Sequence, residues 1–407
     1  MPARRSRREA GHQRPECFVA NGRKRAVKLS KDRILTTHAG SLTRPDDLLE
    51  MIAARDAGRA YDERAFGERV RREVAEVLQR QHAAGIDVVS DGEEGKSGFF
   101  AYIDERLSGF EYRSSDAPQT GPRFADMADF PEYAEIGPPP LARPVCVGPI
   151  EYTGHSILQR DIDNLKAALQ SVSVQEAFLP AAAPGMVSAD RPNEYYKTRE
   201  EMLYATADAL REEYRGIVDA GFLLQLDAPD IPMVYPRRMR EWSKADYLKE
   251  VELLVDVTNH SLTGIPPEMV RFHVCWGNYE APHHYDVEVR EIAPSLVKLR
   301  VGALYVEAAN PRHEHEWSVW KDIKLPDGMA LIAGVIDTKT NIVEHPELVA
   351  ERIVRFADVA GKENVIAGTD CGFGTMANRR RVFPSVQWAK LKTLSEGAAL
   401  ASSRLWA

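Results

Sequence analysis

Short apolar runs alternate with longer amphipathic segments from residue 34 to the end of the chain. Each run ends in Gly, Asn, Asp or Pro, and the segments between the runs place apolar residues three and four positions apart, which is the spacing of one face of an α-helix. Apolar strands that alternate with amphipathic helices predict a parallel sheet covered on both faces. Eight runs follow this pattern, at residues 34–41, 86–93, 177–185, 222–229, 271–278, 304–310, 330–337 and 364–372.

Eight such units favour an α/β fold of the (β/α)8 TIM barrel type over an open doubly wound sheet, which more often has about five to seven strands. The clearest helical segments are 63–85, 198–221 and 345–361, and a glycine closes each of them. Residues 97–176, between strands 2 and 3, are too many for one crossover and are rich in Pro and Gly, so we predict an insertion over one barrel face. The stretch PVCVGPIEYTG at 144–154 predicts a strand or hairpin within it.

The charge is unevenly distributed, and the asymmetry lies at the N-terminus. Residues 1–31 contain ten Lys or Arg and two Glu, a net charge of +8 in a chain whose total is −8, which leaves −16 for the rest. A basic segment with few apolar residues cannot bury enough surface to order itself, so we predict a disordered tail at 1–30 and a single catalytic domain at 31–407. The acidic body would repel phosphate, and we therefore expect no nucleic-acid partner.

The composition is that of a chain with a substantial core, since 44% of its 407 residues are hydrophobic and 28% are charged. No apolar run approaches the roughly 18 to 20 residues that cross a bilayer, and the first residues lack the apolar centre of a secretory signal, so we expect a cytoplasmic protein without a membrane partner. Cys17, Cys146, Cys275 and Cys371 are too few and too scattered for a disulfide framework, which favours metal or thiol chemistry. The sequence leaves a homo-oligomer open.

Polar residues collect where the predicted strands end. In a barrel of this kind the loops after the strands converge on one mouth, so these residues are the candidates for chemistry. Residues two apart on a strand point to the same face, and His273 and Cys275 could therefore reach one ion, the alternative being a packed core histidine beside an inert cysteine. The residues at the strand ends are His38, Ser41, Asp91, Glu93, Glu94, Asp227, His273, Cys275, Glu307, Asp337, Lys339, Asp370 and Cys371.

A metal site with four ligands results if residues at later strand ends lie next to His273 and Cys275. Glu307 and Cys371 would complete a set of two cysteines, one histidine and one glutamate. Thiolate and imidazole ligands suit Zn²⁺, which prefers four ligands in a tetrahedron. The remaining closely spaced histidines lie in polar stretches, and we expect them to be solvated loop residues: His283, His284, His313 and His315.

Six motifs in order carry a resemblance to a known family: HAGSLTRP, SDGEEG, LQLDAPD, HVCWGN, YVEAAN and GTDCGFG. From about residue 34 onward, the chain resembles the C-terminal catalytic barrel of cobalamin-independent methionine synthase and the shorter single-barrel proteins related to it. The resemblance implies methyl transfer from a folate to homocysteine or a related thiol. It places Zn²⁺ on His273, Cys275, Glu307 and Cys371.

The resemblance also assigns substrate-binding residues and a proton donor. It implies that Glu93 and Asp227 hold the amino group of the thiol substrate and that Ser41 binds its carboxylate. Where the family has a histidine that protonates the departing folate, this chain has Lys339, which could donate a proton if its pKa were lowered substantially. Lys339 and Asp227 are therefore the predicted catalytic residues.

Two other functions remain open from the sequence. The barrel also resembles the epoxyalkane:coenzyme M transferases, in which zinc activates a thiol for epoxide opening, and a sulfonate thiol would require a cationic partner such as Arg44, Lys96 or Lys339. A binding protein with a structural zinc is the alternative of another class, but structural zinc prefers closed, cysteine-rich sites with near-neighbour ligands. The expected partners are thus a small-molecule thiol and an alkyl donor, either a folate or an epoxide.

Overall fold

Eight parallel strands form the centre of the protein in a computed structural model that describes residues 26–113, 125–134, 143–189, 191–377 and 379–407. These strands lie at the eight apolar runs of the sequence, and nearly all of their residues are buried. Two further strands pair antiparallel outside this sheet. The ten strands in chain order are β1 (Leu35–Thr36), β2 (Val88–Ser90), β3 (Phe110–Arg113), β4 (Arg143–Cys146), β5 (Glu176–Ala182), β6 (Leu223–Asp227), β7 (Val270–Val274), β8 (Ala303–Val306), β9 (Ala330–Ile336) and β10 (Val365–Thr369).

The parallel strands close into a barrel. Their order is β1, β10, β9, β8, β7, β6, β5 and β2, and a parallel bridge between Thr37 and Val88 joins the first strand to the last. A closed parallel barrel of eight strands covered by helices is a TIM barrel, so the prediction of this fold is confirmed. The loops that follow the eight strands therefore meet at one mouth.

Amphipathic helices cover the outside of the barrel. Helices α2 (Glu63–Ala83), α7 (Arg199–Asp219) and α11 (Pro346–Ala360) confirm the three predicted segments. The glycine after each has a positive φ, at 81° for Gly85, 90° for Gly221 and 86° for Gly361. None of the helices among the described residues has both the length and the apolar character needed to cross a membrane. The helices are α1 (Asp46–Asp56), α2 (Glu63–Ala83), α3 (Asp126–Asp129), α4 (Pro131–Ala134), α5 (His155–Ala168), α6 (Pro184–Ala189), α7 (Arg199–Asp219), α8 (Asp230–Arg238), α9 (Lys244–Ser261), α10 (Val289–Leu296), α11 (Pro346–Ala360) and α12 (Pro384–Leu405).

The insertion between the second and third barrel strands is present but shorter than predicted. The strand or hairpin predicted at 144–154 is present as one strand, because β4 overlaps this stretch at residues 144–146 and pairs antiparallel with β3, with Phe110 opposite Cys146. Helix α5 lies within the predicted range of the insertion, yet it packs between α2 and α7 as a regular helix of the outer layer. The inserted part therefore ends before His155.

The predicted basic tail is described only from residue 26, because residues 1–25, including Cys17, lie outside the described part of the chain. Residues 26–30 run along the end of the barrel opposite the mouth. The Val27 amide donates to the Glu268 carbonyl at 2.7 Å, and Ser30 Oγ donates to the Val365 carbonyl at 2.6 Å. These hydrogen bonds fix residues 26–30 to the barrel.

A buried guanidinium connects two barrel strands below the mouth. Arg271 of β7 donates to Thr37 Oγ1 at 2.9 Å and to the His38 carbonyl at 3.0 Å, and it lies 4.0 Å from the centroid of the Phe178 ring. Burial lowers the pKa of Arg271 to about 10, so the group stays charged at neutral pH. These hydrogen bonds hold the residues just after β1 close to β7. They therefore help to set the relative position of the polar residues that follow the two strands.

Candidate metal and substrate site

Three of the four predicted metal ligands meet at the mouth of the barrel. His273 lies on β7, Cys275 follows that strand, and Cys371 follows β10. The candidate ligand atoms of these three residues all lie within 4.8 Å of one another, and the two sulfurs are 3.6 Å apart. All three side chains are buried. Within the described part of the chain, these three residues therefore offer one nitrogen and two sulfur ligands that could hold one metal ion.

The His273 ring is fixed by hydrogen bonds from both nitrogens. Its Nδ1 lies 2.9 Å from Asp227 Oδ1 and its Nε2 lies 3.1 Å from the Asp370 carbonyl. Burial opposes a charged ring, but the nearby Cys275 sulfur and the Asp227 carboxylate outweigh it and raise the pKa of His273 to about 9. A carboxylate on Nδ1 orients the ring, an arrangement common among metal-binding histidines, and a metal on Nε2 would replace the contact with the Asp370 carbonyl.

The two cysteines differ in their affinity for a proton. The hydrogen bond from Cys371 lowers the pKa of Cys275 against the effect of burial, and the charged His273 ring acts in the same direction. The same hydrogen bond and burial raise the pKa of Cys371 well above its usual range. A thiolate, a neighbouring thiol and an imidazole in a buried site form a soft donor set, and this set fits Zn²⁺.

Glu307, the fourth predicted ligand, lies beside this group and not within it. Its Oε2 accepts a hydrogen bond from the Trp276 amide at 3.0 Å. Its Oε1 accepts one from Asn310 Nδ2 at 2.7 Å and is ion-paired with the Lys339 ammonium. The side chain is fully buried. Both carboxylate oxygens are thus already occupied by protein donors.

Lys339 lies in the loop after β9, and its surroundings oppose the predicted role of proton donor. The side chain is 10% exposed and is paired with Glu307. Burial alone would lower the pKa of Lys339, but the Glu307 carboxylate outweighs burial and raises the pKa well above its usual range. General acid catalysis near neutral pH requires the opposite shift. The role of Lys339 as proton donor stays a prediction, and its ion pair with Glu307 does not favour that role.

Asp370 organises the loop that carries Glu307, and the sequence analysis gave it no function. Its carboxylate accepts hydrogen bonds from the amides of Ala308 at 2.9 Å, Ala309 at 2.7 Å and Asn310 at 3.0 Å, and from Asn310 Nδ2 at 3.0 Å. Burial and the neighbouring Glu307 carboxylate raise the pKa of Asp370 to about 7. Its position directly before Cys371 was the available signal in the sequence, since a residue there must lie next to this candidate ligand.

Replacing Asp370 with alanine should lower the free energy of unfolding by about 2 to 4 kcal/mol, because it leaves buried N–H groups without acceptors. Denaturant unfolding monitored by circular dichroism would measure the change. Asp370→Asn keeps one carbonyl acceptor and should lose less than the alanine variant. Equal stability of the alanine variant and the unaltered protein would contradict the role of Asp370 as the acceptor for this loop.

The predicted substrate-binding residues lie in one cavity with the ligand group. Ser41, Glu93 and Asp227 line it together with His273, and both ligand cysteines also face it. Glu93 follows Gly92 in a tight turn with a φ of 58°, and its amide donates to Asp91 Oδ1 at 3.0 Å. The cavity therefore combines acidic groups with the ligand group.

Glu93 carries an unused hydrogen-bond acceptor in this cavity. Its Oε2 is buried without a hydrogen-bond partner and lies 4.0 Å from the Lys96 ammonium. Burial raises the pKa of Glu93 to about 7, with the Asp227 carboxylate contributing in the same direction. A cationic group placed between Glu93 and Asp227 would offset both the cost of burying the Glu93 charge and the repulsion between the two carboxylates.

Ser41 approaches the loop after β10 so closely that Gly372 must lack a side chain. A Cβ at Gly372 would lie 1.9 Å from Ser41 Oγ. The Ser41 carbonyl accepts hydrogen bonds from the amides of Phe373 at 2.8 Å and Gly374 at 3.3 Å. Ser41 is thus held between the first and last barrel loops, at the edge of the cavity.

Two of the histidines expected to be solvated are buried, so that prediction was wrong for His283 and His313. Asp286 Oδ2 lies 2.7 Å from His283 Nδ1 and 3.0 Å from His313 Nε2. His313 Nδ1 lies 2.7 Å from Glu316 Oε1, and the His313 ring stacks on Trp276 with centroids 4.1 Å apart. This network holds the loop after Cys275 against the loop after Glu307. A loop sequence in which histidines alternate with acidic residues predicts solvated side chains, and only the structure identifies these buried partners.

Comparisons with known proteins assign the chain to one family. The family model described as "Cobalamin-independent synthase, Catalytic domain" matches residues 156–391. A methionine synthase from Sulfolobus acidocaldarius is 27% identical over 344 residues, 83% of this chain and 85% of that protein. One from Thermococcus kodakarensis is 26% identical over 376 residues, 91% of this chain and 94% of that protein.

A solved structure shares the fold. A B12-independent methionine synthase from Shewanella sp. W3-18-1, in complex with selenomethionine, superposes with a TM-score of 0.70 at 21% sequence identity. The match covers 92% of this chain and 99% of that one, so the barrel and its insertion belong to one shared architecture.

Proposed function

The chain belongs to the family of cobalamin-independent synthase catalytic domains, and on this basis we propose that it transfers a methyl group to the thiol of homocysteine. The observation that carries the proposal is one cavity lined by the His273, Cys275 and Cys371 group and by the Glu93 and Asp227 carboxylates. The first feature suits a thiol and the second suits the ammonium group of an amino acid. Homocysteine carries both groups in one small molecule.

We propose that His273, Cys275 and Cys371 hold Zn²⁺ in this cavity. When bound, the metal would lower the pKa of a substrate thiol and so supply a thiolate nucleophile at neutral pH. Asp227 would keep the His273 ring oriented through Nδ1, as it does in the hydrogen bond of 2.9 Å. That Glu307 is a fourth ligand stays a prediction from the family resemblance.

The acidic wall of the cavity would position the substrate. We propose that Glu93 and Asp227 bind the ammonium group and that Ser41 binds the carboxylate, as the resemblance implies. Glu93 Oε2 accepts no hydrogen bond within the protein and is available for this contact. In the reaction a bond forms between the thiol sulfur and the methyl carbon, the bond from that carbon to the donor nitrogen breaks, the thiol loses its proton and the donor nitrogen takes one up. Fixing the amino acid at two points orients its sulfur toward the donor.

None of the three cations considered for a sulfonate thiol lines the cavity, and each contacts other protein groups, which favours an amino-acid thiol over coenzyme M. Arg44 donates to the carbonyls of Gly374 at 2.7 Å and Glu93 at 2.6 Å. Lys96 donates to the Pro180 carbonyl at 2.7 Å, and Lys339 is paired with Glu307. The epoxide reaction has no observation in its favour here, and a methyl-folate stays the predicted donor.

The direct test incubates the zinc-loaded protein with homocysteine and a methyltetrahydropteroylglutamate and measures methionine. Parallel reactions contain coenzyme M in place of homocysteine, or a small epoxide in place of the folate. We expect methionine only with homocysteine. Consumption of coenzyme M with the epoxide, and no methionine in the first reaction, would replace the proposed function by the alternative.

Binding of methionine, the product, should weaken below pH 7 through Glu93. Above about pH 7 Glu93 is ionised and attracts the ammonium group, whereas protonation at lower pH removes that charge. The Kd should therefore rise by about tenfold or somewhat more between pH 8 and pH 5.5, because each pH unit below the pKa gives up to a tenfold loss. Methionine has no thiol to ionise, so calorimetric titration reports the amino-acid pocket alone.

The Glu93→Gln variant is the control for this pH dependence. It should bind methionine weakly, with little change between pH 5.5 and pH 8, because a hydrogen bond from an ammonium group to a charged acceptor contributes about 1.5 to 3 kcal/mol. A flat profile in the unaltered protein, or a steep one in Glu93→Gln, would remove Glu93 from the ammonium site.

A further inference from the structure

Lys96 lies behind Glu93, outside the cavity that Glu93 lines. Its ammonium is 4.0 Å from Glu93 Oε2, and the two side chains are only 7% and 2% exposed. The ammonium also donates to the Pro180 carbonyl at 2.7 Å and lies 4.1 Å from the centroid of the Tyr102 ring. Lys96 is therefore a buried cation that faces the acid of the cavity and would not itself contact a bound substrate.

The backbone holds the Glu93 carboxylate in this position. Glu93 has a φ of 58°, in the left-handed region that a residue with a side chain rarely adopts unless its surroundings fix it. The Lys96 amide donates to the Glu93 carbonyl at 3.0 Å and closes the turn. On the other side, a Cβ at Gly40 would lie 3.0 Å from Glu93 Oε1. The carboxylate is thus fixed between Gly40 and Lys96.

We propose that Lys96 is a positioning residue whose charge keeps Glu93 ionised, so that the cavity selects a substrate with an ammonium group over one with a neutral group in the same place. This inference rests on the proposed function, in which Glu93 binds the ammonium group of homocysteine. It deepens that proposal, because it assigns the charge state of the pocket to a residue outside the pocket. Neither Lys96 nor Glu93 belongs to the candidate metal group.

The charged groups around Glu93 explain why its ionisation depends on this cation. Burial disfavours the charged form of the carboxyl, and the carboxylates of Asp227 and Asp91 act in the same direction. Lys96 and Arg44 oppose them, with Lys96 having the larger effect, and the pKa of Glu93 is about 7. Arg44 donates to the backbone carbonyl of Glu93 at 2.6 Å. Without Lys96 the pKa would rise further, and Glu93 would be mostly protonated at neutral pH.

The charge of Glu93 decides which substrates the cavity distinguishes. A hydrogen bond between an ammonium group and a carboxylate is about twice as strong as one between neutral groups. A protonated Glu93 would lose this advantage and would bind a neutral hydroxyl nearly as well as an amino group. An ionised Glu93 therefore separates an amino-acid thiol from the corresponding hydroxy acid.

Infrared titration of the zinc-loaded protein tests the effect of Lys96 on Glu93 directly. The C=O stretching band of the protonated Glu93 carboxyl is identified by its absence from Glu93→Gln, and its intensity is followed against pH. An opposite charge within about 4 to 6 Å lowers the pKa of a carboxyl by about one to three pH units. The midpoint should therefore rise by at least about one pH unit in Lys96→Met, and Lys96→Arg should restore it to within about half a pH unit.

Two further variants separate charge from packing. Lys96→Gln removes the charge but keeps an N–H donor for the Pro180 carbonyl, so it should raise the midpoint even if Lys96→Met folds poorly. Lys166→Met removes the same charge from an exposed position on α5 and should leave the midpoint unchanged. A midpoint in Lys96→Gln equal to that of the unaltered protein, with an intact fold by circular dichroism, would overturn the proposal.

Binding of methionine and of its hydroxy analogue, in which a hydroxyl replaces the amino group, provides a second readout. Between pH 8.5 and pH 7 the Kd of methionine should rise about twofold for the unaltered protein and about tenfold for Lys96→Met, because the midpoint moves to higher pH. At pH 7 the preference for methionine over the hydroxy analogue should fall by about five- to tenfold in Lys96→Met. An unchanged preference would contradict the selectivity assigned to Lys96.

The two measurements also separate this inference from the proposed function. Methionine formation by the unaltered protein, together with an infrared midpoint that does not respond to Lys96→Gln, would reject only the role of Lys96. No binding of methionine by the unaltered protein would reject the proposed ammonium site and the selectivity with it, and a shifted infrared midpoint would then show that Lys96 still controls the charge of Glu93.

Discussion

Replacing Cys371 with alanine should remove stoichiometric zinc from the purified protein and lower methionine formation by more than about a hundredfold. Only His273 and Cys275 of the ligand group would remain, and two ligands hold zinc poorly against buffer and water. Loss of a hydrogen-bond partner of a ligand already costs about 10- to 100-fold in metal affinity or activity, so the loss of a ligand itself should cost more. Elemental analysis after dialysis would measure the zinc content.

Cys146 is the matched control for Cys371. It is also a buried cysteine, but it lies on β4 in the insertion, where its sulfur is 3.6 Å from the Gly148 carbonyl. Cys146→Ala should therefore retain one zinc per chain. A full zinc equivalent in Cys371→Ala would remove Cys371 from the ligand set. Loss of zinc in Cys146→Ala with the fold intact would place the metal elsewhere.

The Asp227→Asn variant should weaken zinc binding by about 10- to 100-fold and raise the KM for homocysteine as well. Asp227 contacts the His273 ring through Oδ1, and the same oxygen accepts a hydrogen bond from Gln225 Nε2 at 2.8 Å. The substitution keeps the shape of the side chain but removes the charge that stabilises the oriented ring. It also removes half of the proposed ammonium site, so metal affinity and substrate binding should fall together.

Asp230 provides the comparison for Asp227, three residues further along the chain. It is buried at the start of α8, where its carboxylate lies close to Gly185. Burial raises the pKa of Asp230 to about 7, so a neutral asparagine is readily accommodated there. Asp230→Asn should keep zinc affinity and KM within about twofold of the unaltered protein. A response equal to that of Asp227→Asn would mean that any acid near β6 has this effect.

The periodicity of apolar residues determined the barrel before any contact was known. The strand at residues 223–227 and the helix at 199–219 each fall within the runs that the sequence marks, because strand and helix periods are local properties of the chain. The same periodicity placed His273 on β7 and Cys275, two residues later and just after the strand, on the same side of the chain. Once the chain closes as a barrel, residues that follow different strands must approach one mouth, so Cys371 could be assigned to this group from its position alone.

The partners of individual side chains were decided only by the tertiary structure. Lys339 was predicted to donate a proton, yet its contact with Glu307 raises its pKa, and neither residue lies near the other in sequence. His313 looked like a solvated loop histidine until Asp286 and Trp276 were placed against it. Such contacts depend on how loops from distant segments pack at the mouth, and each pair is set by distances that no local period encodes. The sequence thus determined which residues could meet at the mouth, while packing between the loops decided which charges are paired and which donors stay free for a metal and a substrate.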